Sequence, residues 1–299
     1  MDRREFIGAA LASAAAVSLP WNIGNAAAQT DTVGLVKAAN GEPAVLVKTV
    51  VEKLGGMSKF ISKGDKVLVK PNIGWDRNVA QGANTHPEVV AETVRLCLAA
   101  GAAEVLVFDN PCNSAERCYA NSGIAEAAKK AGAKVSFMIE AFYRETKIAN
   151  GTKLKSWKFY RPALDADKYI NLPVLKHHGL ADVTIGLKNI MGIIGGNRGM
   201  IHYDFDSKIV DLNTMVKPVL TIVDATRILK RNGPTGGSLG DVINARQLIA
   251  GIDPVAVDAA GAELFGIKPE QLGALLEADR RGLGKIAGRK AMVEIDLGA

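Results

Sequence analysis

Short β-branched apolar runs alternate with alanine-rich stretches of helical period along most of this chain, and that alternation admits few architectures. It predicts an α/β fold: a multi-stranded, largely parallel or mixed sheet with helices on both faces. Residues 33–36, 66–70, 104–108, 134–139, 168–172 and 219–223 read as strands, and 43–54, 87–100, 124–131 and 253–265 as helices. Gly101 and Gly132 each follow a helical stretch and precede a strand, as C-terminal caps do. The tail, 292–297, adds an edge strand.

Polar residues recur just after the strands, as Lys70-Pro71-Asn72, Asp109-Asn110-Pro111, Asn171-Leu172-Pro173 and Asp224-Ala225-Thr226. In open α/β sheets ligands sit outside the carboxyl ends of strands, so these four loops suggest one rim where a site assembles. The stretch 182–192 begins with strand-like alternation and ends with helical spacing. Because Asp is a favoured N-cap, it reads as a helix capped by Asp182.

The first residues, Met1-Asp2-Arg3-Arg4-Glu5-Phe6-Ile7, precede a moderately apolar stretch, 9–19, and Ala26-Ala27-Ala28. A twin arginine, a short alanine-rich core and small residues at a cleavage site form a twin-arginine (Tat) export signal, residues 1–28. The core is too short for a stable membrane span, which takes about 20 predominantly apolar residues; a retained anchor is the alternative. The expectation is a periplasmic or exported protein that meets the Tat translocase, is cleaved near Ala28, and folds as one domain, 29–299, of one or two lobes. Such signals resemble those of proteins exported already folded, many of which carry a metal or redox cofactor.

Loss of residues 1–28 removes Asp2, Arg3, Arg4 and Glu5 together, so the mature chain keeps the formal charge of +6. A mildly basic balance with no Lys/Arg cluster interleaved with aromatics suits a small anionic ligand and argues against a nucleic-acid partner. Of three cysteines, Cys97 reads as a packed small hydrophobe, while Cys112 and Cys118, six apart, could pair in an oxidising compartment or stay free. Three thiols without a Cys-x-x-Cys pair cannot supply the four ligands of an iron–sulfur cluster, so none is expected.

The four histidines lie in segments rich in polar residues, glycine and proline. Thr85-His86-Pro87-Glu88 reads as a capping box with Thr85 as N-cap, and places His86 on a first helical turn, as proton carrier or as local hydrogen-bonder. In Lys176-His177-His178, adjacent histidines on a strand face opposite ways, and Lys176 could bind a carboxylate or phosphate. The glycine-dense turn 192–199 carries Arg198, able to grip an anion bidentately. In His202-Tyr203-Asp204-Phe205-Asp206 three potential ligands stand at spacing two; on an extended strand they would share a face and suit a divalent metal, with His202 and Asp204 the candidates. Gly236-Gly237-Ser238-Leu239-Gly240 matches a nucleophile elbow formally, but no apolar strand precedes it and no histidine follows residue 202, so a serine hydrolase is excluded. Asp253-Pro254 marks a helix start, and Asp258, one turn on, faces the same rim or solvent.

Several motifs occur in one order: Lys66-Val67-Leu68-Val69-Lys70-Pro71-Asn72, Thr85-His86-Pro87-Glu88, Ile170-Asn171-Leu172-Pro173 with Lys176-His177, Gly186-Leu187-Lys188-Asn189-Ile190-Met191-Gly192, Leu220-Thr221-Ile222-Val223-Asp224, Asn232-Gly233-Pro234, and Gly251-Ile252-Asp253-Pro254-Val255-Ala256-Val257-Asp258. In these the chain resembles, over residues 66–284, the bacterial and archaeal family called domain of unknown function 362. The resemblance favours His177 over His178. Many members look like iron–sulfur proteins; this chain lacks their cysteine runs, so a redox role would need another cofactor or an external electron partner protein.

The expectation is an exported enzyme, an oxidoreductase or isomerase, whose pocket combines His86, His177 and Lys188 as catalytic groups with Asn72, Lys176, Asn189, Arg198 and Asp224 as ligand-binding groups. A histidine would move a proton at a small anionic substrate while Lys188 stabilises developing negative charge, and a bound divalent metal or organic cofactor could assist. The alternative is a non-catalytic periplasmic binding protein or a maturation factor for a cofactor or metal.

Overall fold

The computed structural model describes residues 33–298, so the export signal expected at residues 1–28 lies outside the described residues. The strands are β1 (Leu35–Ala39), β2 (Lys66–Pro71), β3 (Glu104–Val107), β4 (Lys134–Val135), β5 (Tyr143–Lys147), β6 (Ser156–Tyr160), β7 (Lys168–Leu172), β8 (Val174–His178), β9 (Asp182–Thr184), β10 (Leu220–Leu229), β11 (Val242–Ile243), β12 (Gln247–Gly251) and β13 (Val293–Asp296). The α-helices are α1 (Pro43–Lys53), α2 (Pro87–Ala99), α3 (Ala115–Asn121), α4 (Ile124–Lys130), α5 (Arg161–Leu164), α6 (Gly186–Asn189), α7 (Phe205–Asn213), α8 (Pro254–Phe265) and α9 (Gly273–Arg280). Among the described residues no helix is long and apolar enough to cross a membrane.

The main sheet runs β13-β1-β12-β10-β7-β2-β3-β4. Along that path β12 alone opposes its neighbours, and every other pair is parallel. The sheet is therefore mixed and mostly parallel, and the carboxyl ends of β2, β3, β7 and β10 share one edge. Strand alternation splits its side chains between two apolar layers. Val67 and Val69 pack with Leu46, Val50 and Val94 of α1 and α2, whereas Leu68 and Ile249 join Ile209, Val257 and Leu275 of α7, α8 and α9. Full burial of each such side chain contributes about 1.5–3 kcal/mol, which is what clamps helices to both faces.

Several boundaries differ from the sequence reading for physical reasons. Of 134–139 only Lys134–Val135 is strand, because β4 is an edge that meets β3 at two positions, and Phe137 and Ile139 beyond it are exposed. The strand expected at 219–223 continues to Leu229, since Asp224, Thr226 and Arg227 hydrogen-bond one another inside the fold. Asp182 caps no helix. It lies in left-handed backbone (φ 56°) at the start of β9, and the helix that follows is the single turn Gly186–Asn189. Thr85 is not the N-cap of α2 either. That place belongs to His86, whose Nδ1 accepts from the Glu88 amide at 3.1 Å, while the Thr85 hydroxyl ties the Asn72 amide to the Leu172 carbonyl.

Candidate functional site

At the carboxyl edge of the sheet, the loops after β2 and β3, the end of β8, the turn of α6 and the glycine-rich segment 192–199 enclose a cavity of about 600 Å³. Its floor is a buried polar network. The Lys70 ammonium, fully buried, donates to Asp109 Oδ1 (2.9 Å), Pro71 O (2.7 Å) and Asn189 Oδ1 (2.9 Å), three acceptors for three hydrogens. Burial pushes its pKa down, and the Asp109 carboxylate pulls it back. Asp109 also accepts from the Ile73 and Asn110 amides. Gly192 passes over this pair so closely that a Cβ there would collide with Asp109 and Lys70, which is why the turn needs glycine.

Asn189 extends the network by donating to the Lys70 carbonyl and to Asn171 Oδ1, and Asn72 donates to Asn189 Oδ1. Asn72 Oδ1 in turn accepts from Lys176 Nζ at 2.9 Å, and Lys176 also donates to Ala83 O at 2.5 Å. With no carboxylate among these partners, burial drives Lys176 down to about 7.

Lys188 closes one wall. Its Nζ meets Met191 Sδ at 3.3 Å and His202 Nε2 at 3.2 Å, and burial, aided by the nearby charge of Arg198, lowers it to about 8. His178, His202 and Phe205 form a stack, with centroid separations of 5.3 and 5.8 Å. The hydrogen bonds assign both tautomers: His178 Nδ1 accepts from the Leu180 amide, leaving its proton on Nε2, whereas His202 Nδ1 faces Gly199 O and leaves Nε2 as acceptor toward Lys188. Burial first, then the Lys188 charge, holds both imidazoles neutral, His178 at about 3.

Of the residues expected at the site, the cavity brings together Asn72, Lys176, Lys188, Asn189, Arg198 and His202. Arg198 serves differently from the expected grip on an anion. Its guanidinium donates to the carbonyls of Asn110, Pro111 and Met191, so it locks two loops and lends the cavity its charge. His86, His177 and Asp224 lie elsewhere. His86 caps α2; His177 points to Gly233 on the opposite side of β8; Asp224 is fully buried, accepting from the His86 amide, Thr226 and Arg227. Sequence reasoning missed His178, Lys70 and Thr184. Alternation on β8 carried the signal for the first, because Lys176 and His178 share a face that His177 does not.

The metal expectation rested on an extended segment at 202–206, and that segment is not extended. His202 ends a 3-10 turn, Asp204 adopts left-handed backbone (φ 55°), and Asp206 sits in the first turn of α7. Asp204 is 62% exposed and faces Lys153. Among the described residues no group of three His, Cys, Asp or Glu could hold a metal ion, and only His202 Nε2 offers the cavity an imidazole lone pair. The residues present do not fit a protein-held divalent ion. Cys112 and Cys118 are free thiols, Cys112 on the cavity rim and Cys118 buried in α3.

Thr184 supplies an unexpected observation. Its hydroxyl is buried in the cavity wall with no hydrogen-bond partner. An orphan of this kind costs about 1–3 kcal/mol until something supplies a partner.

Comparison with known proteins adds a family and a relative. The chain is 28% identical over 268 residues to the thylakoid-associated protein sll1697 of Synechocystis sp. (strain ATCC 27184 / PCC 6803 / Kazusa), covering 86% of this chain and 81% of that one. Among solved structures, the lactate racemase apoprotein from Thermoanaerobacterium thermosaccharolyticum aligns with a TM-score of 0.47 at 12% identity; the match covers 77% of this chain, which spans 56% of that one. The family model described as Domain of unknown function (DUF362) matches residues 67–263, and by that match the chain belongs to this family.

Proposed function

We propose that the protein is an exported enzyme that binds a small anionic substrate, bearing a carboxylate or phosphate, in this cavity and moves a proton at it. The observation that carries the reading is the composition of the wall: Lys176, Lys188 and Arg198 line it, and the one carboxylate among its lining residues, Asp109, is already neutralised by Lys70. An anion there gains two ammonium groups that are only partly protonated near neutral pH, and it draws protons onto them as it binds. Thr184 Oγ1 acquires the partner it lacks.

Lys188 Nζ and His202 Nε2 form the proton-handling pair. A lysine near pKa 8 is matched to neutral-pH acid–base work, and the imidazole lone pair holds its N–H in place. Proton transfer at an anionic substrate is the chemistry of an isomerase, which we favour. An oxidoreductase would use the same cationic wall to hold an anionic organic cofactor, and the optical spectrum of protein purified from its own host separates the two. Export rests on the leader sequence, and the thylakoid association named for the relative agrees with a protein placed outside the cytoplasm or at a membrane. Cell fractionation tests it: the mature chain is expected outside the cytoplasm, and finding it inside would end that part of the reading.

The binding experiment is calorimetric titration of the mature protein with oxalate. Lys176→Met and Lys188→Met are each expected to weaken binding at least ~10-fold, and Thr184→Val by about 2- to 10-fold, the worth of one hydrogen bond. Equal affinity in all four proteins would refute the site. Tight binding in a protein that turns over no anionic substrate would instead identify a carrier.

A further inference from the structure

We infer that the substrate is a small anionic aldehyde or 2-oxo acid, which Lys188 holds as an imine in the cavity wall. The inference rests on the reading of the cavity as an anion site and adds the substrate class. Two lysines line this space and a third, Lys70, lies buried beneath it, and the three are not equivalent. Lys70 donates to three oxygens, a carboxylate among them, and Lys176 to two. Lys188 has no oxygen partner: its Nζ meets a thioether, an imidazole lone pair and, at 5.5 Å, the ring of Phe205.

An ammonium brings three hydrogens and no lone pair, whereas a neutral amine brings two hydrogens and one lone pair. Met191 Sδ and His202 Nε2 match the two hydrogens of the amine and leave its lone pair free. The Phe205 ring favours the charged form, but burial outweighs it, and the group falls to about 8. The amine lines the same cavity as the orphaned Thr184 hydroxyl, so a carbonyl compound with an anionic group finds a nucleophile, a hydrogen-bond donor and positive charge around one space.

The chemistry balances without a redox partner. The Nζ lone pair forms the C–N bond as the carbonyl π pair moves to oxygen. Nζ then passes one proton to His202 Nε2, and the oxygen takes that proton up. A second proton, from solvent, lets the hydroxyl leave as water, and the resulting C=N iminium keeps one N–H. Nothing is oxidised or reduced.

Reductive trapping tests this. The mature protein is incubated with glyoxylate or with pyruvate in the presence of cyanoborohydride, then read by intact mass and peptide mapping. One secondary amine is expected, at Lys188, formed at least ~10-fold faster than at exposed lysines because far more of this amine is unprotonated at neutral pH. Oxalate, which offers carboxylates but no aldehyde or keto carbon, is expected to suppress it, and Lys188→Arg, which keeps the charge, to abolish it. Adducts scattered over surface lysines with Lys188 bare would overturn the inference, as would a Lys188 adduct indifferent to oxalate. A protein that binds oxalate yet forms no Lys188 adduct with either carbonyl compound loses the imine and keeps the anion site; one that binds no oxalate loses both.

Discussion

Asp109→Leu is expected to lower the stability of the mature protein by about 3–5 kcal/mol, the typical result of stripping one partner from a buried ion pair. Both side chains of that pair are 2% exposed or less, so solvent cannot replace the lost carboxylate. The damage reaches beyond Lys70. Asp109 also accepts from the Ile73 and Asn110 amides, so its removal frees the Ile73 donor and leaves Asn110 held by the Gly192 carbonyl alone, on two loops that shape the cavity. Removing Lys70 as well, in the Lys70→Met/Asp109→Leu double variant, is expected to recover a measurable part of the loss, because a buried charge without a counter-ion is costlier than an apolar pair of similar volume. Denaturant titration of the unaltered protein, the two single variants Asp109→Leu and Lys70→Met, and the double variant completes the cycle; strictly additive losses would show that the pair is not coupled.

Asp258 carries the second large effect. It is buried, and its two oxygens accept from the Gly186 and Leu187 amides at 2.8 Å each, anchoring the turn that bears Lys188 and Asn189. Asp258→Ala leaves two buried N–H groups unpaired, at about 1–3 kcal/mol each, and releases the wall of the cavity. Loss of oxalate binding is expected along with a lower melting temperature.

Asp258 also sets a pH dependence whose sign is fixed. Burial raises its carboxyl from the ordinary 3.8 to about 7 in the folded protein, so between those values the folded state holds a proton that the unfolded state has released. Stability from this group is greatest below about pH 4 and falls as pH rises toward 7. Asp258→Asn, which cannot ionise, is expected to flatten that slope; an unchanged slope would assign it to other groups.

The architecture and the place of the cavity were legible in the sequence, because both follow from short-range pattern. Apolar alternation marks β2, β3 and β7, and Lys70-Pro71-Asn72 and Asp109-Asn110-Pro111 fall at strand ends, where the cavity lies. What each polar residue does there was less legible, since it depends on partners far along the chain. Asp224 follows an apolar run as a site residue would, yet it serves the amide of His86, 138 residues away. Asp182 has the chemistry of an N-cap, but the carboxylate that holds α6 comes from Asp258. The resemblance favours His177, whereas strand alternation on β8 places His178 on the face of Lys176 that meets the cavity. The spacing of His202, Asp204 and Asp206 carried meaning only for a strand, and the chain turns there instead.

If the cavity is an anion site whose lysines are incompletely protonated until the anion arrives, binding must draw protons from solution. Calorimetric titration with oxalate near pH 8, in two buffers of different ionisation enthalpy, is expected to show net proton uptake, with affinity falling by up to about tenfold per pH unit for each lysine that takes up a proton, as pH rises above the values near 7 and 8 of Lys176 and Lys188. Binding with no proton uptake and a flat pH profile would contradict it.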